Sequence, residues 1–194
     1  MNFKILTLFP EIYPGPLSHS VSGKALEKKL FTIETINIRN FSKTNSRVVD
    51  DKPFGGGAGM ILKPNVMQNA LDFAKKNSPK KRKEIFLSPS GKKINSKIIN
   101  KLVEFEELII ICGRYEGIDS RFIEFNGIEE LSVGDYVLSG GEIASFILID
   151  TCVRLIPEVL GNKNSLNSES FKNDLLEYPQ YTKPREWKGI EVPD

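Results

Sequence analysis

Residues 108–112 read LIIIC, five apolar side chains in a row with no polar alternation. Successive residues of a strand point to opposite faces, so a half-buried strand alternates apolar and polar side chains. An unbroken apolar run is a strand covered on both faces, which is the habit of parallel sheets. Parallel neighbours need long crossover connections, usually helical. The chain carries such patterns between its strand-like runs. Residues 3–9 form a short β-type run closed by Pro10, residues 31–38 alternate at Ile33, Ile36 and Ile38, and residues 84–88 (EIFLS) stop at Pro89 and Gly91. Helical spacing runs over 17–30, and Val66, Met67, Ala70, Leu71 and Ala74 form an apolar stripe behind Pro64. Asn95 or Ser96 is placed to cap a helix running to about Phe105. The expected fold class is α/β, a parallel sheet with helices on both sides.

In such sheets ligands sit beyond the carboxyl ends of the strands. Six of the fifteen glycines (113, 117, 127, 134, 140 and 141) fall within residues 113–142, directly after the apolar run. Four more form one cluster, Gly55, Gly56, Gly57 and Gly59. Glycine is needed where main chain turns sharply or lies against a ligand. The loops at 88–91, at 113–117 and after Leu138 are therefore expected to converge on one rim and form a site. The phosphate-cradling motifs are absent: there is no GxxxxGK[ST], and no GxGxxG follows the first strand.

Composition narrows the class further. Apolar residues make up 40% and charged residues 27%, the balance of a globular protein. No run of 18 uncharged apolar residues occurs, so no membrane association is expected, and the N-terminus reads as a first strand, not a signal peptide. Cys112 and Cys152 lie among aliphatic residues, as free thiols do in a reducing cytoplasm. With one histidine and no ligand spacing, a zinc or iron site is not expected. Residues 75–101 hold ten Lys or Arg against one acid, Glu84, a net +9 in a chain of +2. That polarity reads either as a phosphate-contacting face or as a solvated surface. Residues 142–156 are apolar nearly all round, from Ile143 to Ile156, and few elements remain to cover such a helix, which predicts a subunit interface and a homodimer. Within it, Asp150 and Arg154 are spaced for a helical ion pair worth about 0.2–0.5 kcal/mol. A charge in so apolar a helix also fits a functional role.

Five blocks, in order, resemble one family: KPFGGGAGM (52–60), LSPSGKK (87–93), ICGRYEGIDSR (111–121), SVGDYVLSGGE (132–142) and EYPQYTKP (177–184). They are similar to the signature blocks of the bacterial tRNA (guanine-N1)-methyltransferases, TrmD. The resemblance implies a SPOUT fold, α/β with a C-terminal deep trefoil knot, working as a homodimer with a site built from both subunits. It implies S-adenosylmethionine bound by Leu87, Ser88 and Pro89, by Gly113, by Val133, Gly134, Asp135, Tyr136, Val137 and Leu138, and by Gly140 and Gly141. The implied reaction methylates N1 of guanosine 37 of tRNA, just 3′ of the anticodon. By the same resemblance Glu169 is the general base, at a position where the family pattern has aspartate. Arg154 is the catalytic cation, and Glu116 lies near the methyl donor. A divalent ion, Mg²⁺, is implied with no ligands assigned. Arg39, Lys43, Arg47, Lys52 and the lysine-rich window become candidates for tRNA backbone contacts. Residues 1–160 then form the catalytic domain. Residues 161–194 form a mobile loop and a linker toward a C-terminal tRNA-binding domain that is absent or truncated. An RNA-binding module without catalysis and a ribose-methylating SPOUT enzyme are the competing classes.

Overall fold

The computed structural model describes residues 1–160 and 178–193. In chain order these form β1 (Asn2–Thr7), α1 (Ser20–Glu27), β2 (Thr32–Asn37), β3 (Asp50–Asp51), β4 (Ile61–Leu62), α2 (Pro64–Lys75), β5 (Arg82–Lys93), α3 (Ser96–Leu102), β6 (Glu107–Cys112), α4 (Ser120–Asn126), β7 (Glu129–Ser132), α5 (Gly141–Val153), β8 (Glu186–Trp187) and β9 (Ile190–Glu191). They belong to two compact units, Met1–Gly161 and Asn162–Asp194.

The first unit is built on a five-stranded sheet of order β2-β1-β6-β5-β7, with every pair parallel. The all-apolar run is the central strand, β6, and all its residues are buried. Ile109 and Ile111 face a cluster with Val66, Met67, Ala70 and Leu71 of α2 and Phe122 of α4. Leu108, Ile110 and Cys112 face the other cluster, with Ala25 of α1, Ile98, Ile99 and Leu102 of α3, and Leu148, Ile149 and Cys152 of α5. Period-two alternation along one strand thus feeds two cores, and a helix layer is required on each side.

Local signals explain the helix ends. Pro64 opens α2 in its first turn, and the Asn95 side chain accepts the Ile98 amide at 3.0 Å to cap α3. Three expected boundaries move. The helix expected over 17–30 shortens to α1 because Gly15–Ser18 forms a 3₁₀ turn and Lys29 takes positive φ. The strand expected at 84–88 runs on to Lys93, because β7 pairs with it again beyond the Pro89 turn. The last helix stops at Val153, with Arg154 as its C-cap. The chain itself also covers most of α5, contrary to the premise that too few elements remain. β5, β6, α3 and the 3₁₀ turn leave only a stripe exposed, at Ile143, Ile147, Asp150 and Arg154.

In the second unit, β8 and β9 pair antiparallel through Glu186–Glu191 and Trp187–Ile190. The Lys188 ammonium lies 4.8 Å from the Trp187 ring centroid.

One buried charge ties β1 to the second core. Lys4 Nζ donates to the Ala74 carbonyl at 2.8 Å and Ser78 Oγ at 3.0 Å, and lies 3.4 Å from the Glu107 carboxylate, itself only 2% exposed. Removing one partner of a buried pair strands the other. Lys4→Met is expected to cost about 3–5 kcal/mol in urea unfolding, and the Lys4→Met/Glu107→Leu double variant to recover most of it.

Candidate active site

Loops at the carboxyl ends of β5, β6 and β7 enclose a cleft of about 420 Å³. Each owes its shape to a local constraint. On β5, Leu87 and Lys92 both pair with Leu131, so residues 88–91 are thrown out of the ladder as a bulge. Gly91 allows this, since a Cβ there would stand 2.6 Å from the Glu130 carbonyl carbon. The bulge is closed by Ser88 Oγ and Ser90 Oγ at 2.7 Å. After β6, the Gly141 amide donates to the Gly113 carbonyl at 3.0 Å, pinning the start of α5 to the end of the central strand. That approach excludes side chains: a Cβ on Gly141 would lie 2.7 Å from Cys112 Cα, and one on Gly113 would lie 2.9 Å from the Phe86 ring.

The lining includes Leu87, Ser88, Pro89, Gly113, Val133, Gly134, Tyr136, Val137, Leu138, Gly140 and Gly141, eleven of the twelve residues expected to bind the methyl donor. The twelfth, Asp135, is not in the lining and pairs with Lys93 at the surface. Glu116 lines the cleft, as does Glu130. Arg154 does not, because ten residues of helix separate it from Ala144, about 15 Å of rise. Glu169 lies outside the described residues.

Sequence reasoning missed the polar network beneath the cleft. Glu142, in the first turn of α5, is 1% exposed. Its Oε1 accepts Thr7 Oγ1 at 2.7 Å, and its Oε2 lies 2.8 Å from Arg114 Nη2, paired in charge though not aligned as a directed hydrogen bond. Arg114 donates from Nη1 to the Ser139 carbonyl at 3.1 Å and stacks 4.4 Å from the Phe9 ring centroid. The helix N-terminus favours the carboxylate as well. The one readable signal was an acid in the first turn of an otherwise apolar helix. Alongside, Tyr13 Oη and Ser145 Oγ lie 2.6 Å apart, and Ser145 donates to the Glu142 carbonyl at 2.6 Å. Burial first, and then the neighbouring Cys112, push the Tyr13 phenol well above its ordinary range.

The basic window is partly neutralised. Lys75 and Arg82 pair with Glu84 at 3.2 and 3.1 Å, Lys83 with Glu129 at 2.9 Å, and Lys93 with Asp135. Lys76, Lys80, Lys81, Lys92, Lys97 and Lys101 remain exposed. Among the described residues no group of three or more His, Cys, Asp or Glu is gathered as a metal cage, and no helix is long and apolar enough to cross a membrane.

A glycine-walled cleft at the carboxyl rim of a parallel sheet, where the strand order jumps from β6 over β5 to β7, defines an α/β protein with a candidate ligand cleft at its switch point. Known proteins make the class particular. The family model described as tRNA (Guanine-1)-methyltransferase TrmD matches residues 1–194, and the chain belongs to that family. A relative named tRNA (guanine-N(1)-)-methyltransferase from Ehrlichia canis (strain Jake) is 50% identical over 195 residues, covering 100% of this chain and 83% of its own. The proteins of the same name from Wolbachia pipientis wMel and Neorickettsia sennetsu are 49% and 51% identical, each across 100% of this chain and over 82% and 85% of their own lengths.

Thr7 is fully buried and its hydroxyl serves a buried carboxylate, so Thr7→Val is expected to cost about 1.5–3 kcal/mol in urea unfolding. The thiols give an alkaline prediction. Burial first, then the Glu142 charge, pushes Cys112 up to about 12, and burial alone does the same to Cys152, from an ordinary 9.0. With the raised Tyr13 phenol, the folded chain therefore holds three protons that the unfolded chain releases first. Stability is unaffected below about pH 9 and falls as pH rises from 9 towards 12. The fall in stability over that range is expected to be shallower in a Cys112→Ala/Cys152→Ala variant, leaving the Tyr13 contribution above about pH 10.

Proposed function

We propose that this chain transfers a methyl group from S-adenosylmethionine to N1 of guanosine 37 of tRNA, the nucleotide 3′ of the anticodon. The observation that carries the reading is the cleft: glycine-bared main chain and apolar walls, with the carboxylates of Glu116 and Glu130 among them, in a chain of this family. The relatives named above carry that base atom in their names.

The lining fits the donor. Adenosine without phosphate offers base edges and ribose hydroxyls, which main-chain amides and carbonyls at Gly113, Gly140 and Gly141 can satisfy. Leu87, Val133 and Leu138 supply apolar walls, and Glu116 and Glu130 supply negative charge opposite a cation. When bound, the donor supplies an electrophilic methyl carried on a sulfonium sulfur.

Guanine N1 bears a proton, and a base must remove it as the methyl arrives. We assign that proton to the carboxylate of Glu169. The electron pair left on N1 delocalises toward the neighbouring carbonyl oxygen, where a cation lowers the barrier. We assign that charge to Arg154. Because Arg154 stands about 15 Å along α5 from the cleft of its own chain, the assignment calls for a second copy. A homodimer packed through the stripe of Ile143 and Ile147 meets that need and covers two half-exposed isoleucines, 54% and 41% accessible. The return from edge strand β7 across β5 to Gly141 supports a C-terminal part threaded as the SPOUT trefoil knot. Residues 1–160 are then the catalytic domain, and 161–194 bring the base and the linker. Mg²⁺ fits as a further requirement. Such an ion would be held through one or two carboxylates with water and phosphate, without a preformed cage, and Glu116 or Glu130 would be the carboxylates of the cleft to hold it. A tRNA substrate supports a cytoplasmic protein.

The test is transfer of labelled methyl to unmodified full-length tRNA. Label is expected at N1 of guanosine 37, and Glu169→Ala is expected to lower turnover at least ~10²-fold while calorimetry shows donor binding retained. No transfer by the wild type, or label on ribose, overturns the reading. Undiminished turnover in Glu169→Ala removes that residue from the mechanism.

A further inference from the structure

Phe54 is 97% exposed, the most solvent-accessible of the large apolar side chains in the described residues. It stands at the tip of a loop closed at its base by the β3–β4 ladder, Asp50 with Leu62 and Asp51 with Ile61. The next three residues, Gly55, Gly56 and Gly57, all take positive φ, at +83°, +83° and +122°. No neighbour crowds them: a Cβ on Gly55 or Gly56 would meet nothing within 4 Å, and one on Gly57 would meet only the Pro53 ring at 3.8 Å. These glycines serve the path of the main chain alone. They carry the tip outward and leave the ring exposed, with no packing partner among the described residues.

The root of the same loop is held at the cleft. The Glu116 amide donates to the Met60 carbonyl at 2.9 Å, the Leu62 amide to the Gly117 carbonyl at 3.0 Å, and Gly59 packs directly on the Glu116 side chain. Phe54 is five residues from Gly59, so its Cα lies no more than about 18 Å from that root. Lys43 and Arg47 are exposed on the segment that leads into β3, and Lys52 on the loop itself. Its base is steadied by the Lys63–Asp51 ion pair at 3.2 Å. An outward aromatic ring among exposed cations is the arrangement that single-stranded nucleic acid recognises, through stacking on the ring and backbone attraction to the charges.

Resting on the proposed tRNA reading, we propose that Phe54 stacks on a nucleotide base next to the target guanosine. N1 lies on the pairing edge of guanine, and in a stacked loop it reaches an enclosed cleft only when the nucleotide is drawn out. Drawing it out uncovers the face of a neighbouring base, and Phe54 takes that face.

The experiment compares Phe54→Ala, Phe54→Leu and Phe54→Trp with the wild type. The readouts are methyl transfer to a tRNA transcript, donor affinity by calorimetry, and transcript affinity by fluorescence anisotropy. Phe54→Ala and Phe54→Leu are expected to lower kcat/KM for tRNA roughly 5- to 150-fold, the span of one lost base–aromatic stack, with donor affinity unchanged. Phe54→Trp is expected to stay within about threefold of the wild type, because any aromatic face serves. A Phe54→Ala or Phe54→Leu enzyme with wild-type kcat/KM overturns the stack. So does loss of donor binding in Phe54→Ala, which would make the loop a support of the cleft instead. A wild type that transfers no methyl sinks the functional reading separately; equal transcript affinity of wild type and Phe54→Ala would then overturn the stack on its own terms.

Discussion

The buried carboxylate of Glu142 is the contact through which sheet, helix and cleft hold one another. It sits at the N-terminus of α5, where the helix dipole favours negative charge by about 0.3–1 kcal/mol at an exposed position and up to about 2 when partly buried. That alone does not offset the removal of a carboxylate from water, which costs several kcal/mol. Thr7 from the end of β1 and Arg114 from the loop after β6 supply the rest. Thr7 lies more than a hundred residues from both Arg114 and Glu142 in sequence, so the network forms only when the parallel sheet is in register. Arg114 then passes the constraint on to the Ser139 carbonyl in the third cleft loop. One side chain that touches no solvent thereby fixes the distance between two walls of the cleft.

This dependence explains which parts of the molecule could be read in advance. The central strand was legible because five consecutive apolar residues leave few other structures open to them. The α3 cap at Asn95 and the opening of α2 at Pro64 were legible because each depends on residues within one turn. The converging glycine loops were legible as loops and as a rim. Nothing local could reveal that Asp135 turns away to Lys93 while its neighbours on both sides line the cleft. Nor could a local pattern find Glu142, whose role rests on a threonine from β1 and an arginine from the loop after β6. The β5 boundary moved for the same reason: Pro89 and Gly91 look like a stop, and only pairing with β7 turns them into a bulge. Charge counting overstated the basic face, because Glu129 and Asp135, both outside the window, neutralise two of its lysines.

The two glycine clusters show the same residue under opposite constraints. Gly113 and Gly141 have no side chain because other atoms already occupy that space. Gly55, Gly56 and Gly57 have none because their backbone angles exclude one, and the space around them is open. The first kind brings main chain together, and the second holds it apart. A composition count treats them alike. The distinction between a built cleft and a projecting arm appears only when each Cβ is tested against its surroundings.

The geometry of α5 carries this contrast into function. Its first turn belongs to the cleft, through Gly141, Glu142 and Ala144. Its C-cap, Arg154, is about 15 Å further along, longer than an arginine side chain can span. Ile143, Ile147, Asp150 and Arg154 fall three or four residues apart, so the exposed stripe runs the length of the helix on one face. If that face meets its own copy about a twofold axis perpendicular to the helix, the contact is self-complementary, and each helix presents its far end toward the other's near end. An arginine that cannot reach its own cleft is then carried toward the partner's. The reach of one side chain against the rise of one helix is thus the physical reason for assigning a cation at position 154 to a site shared between two chains.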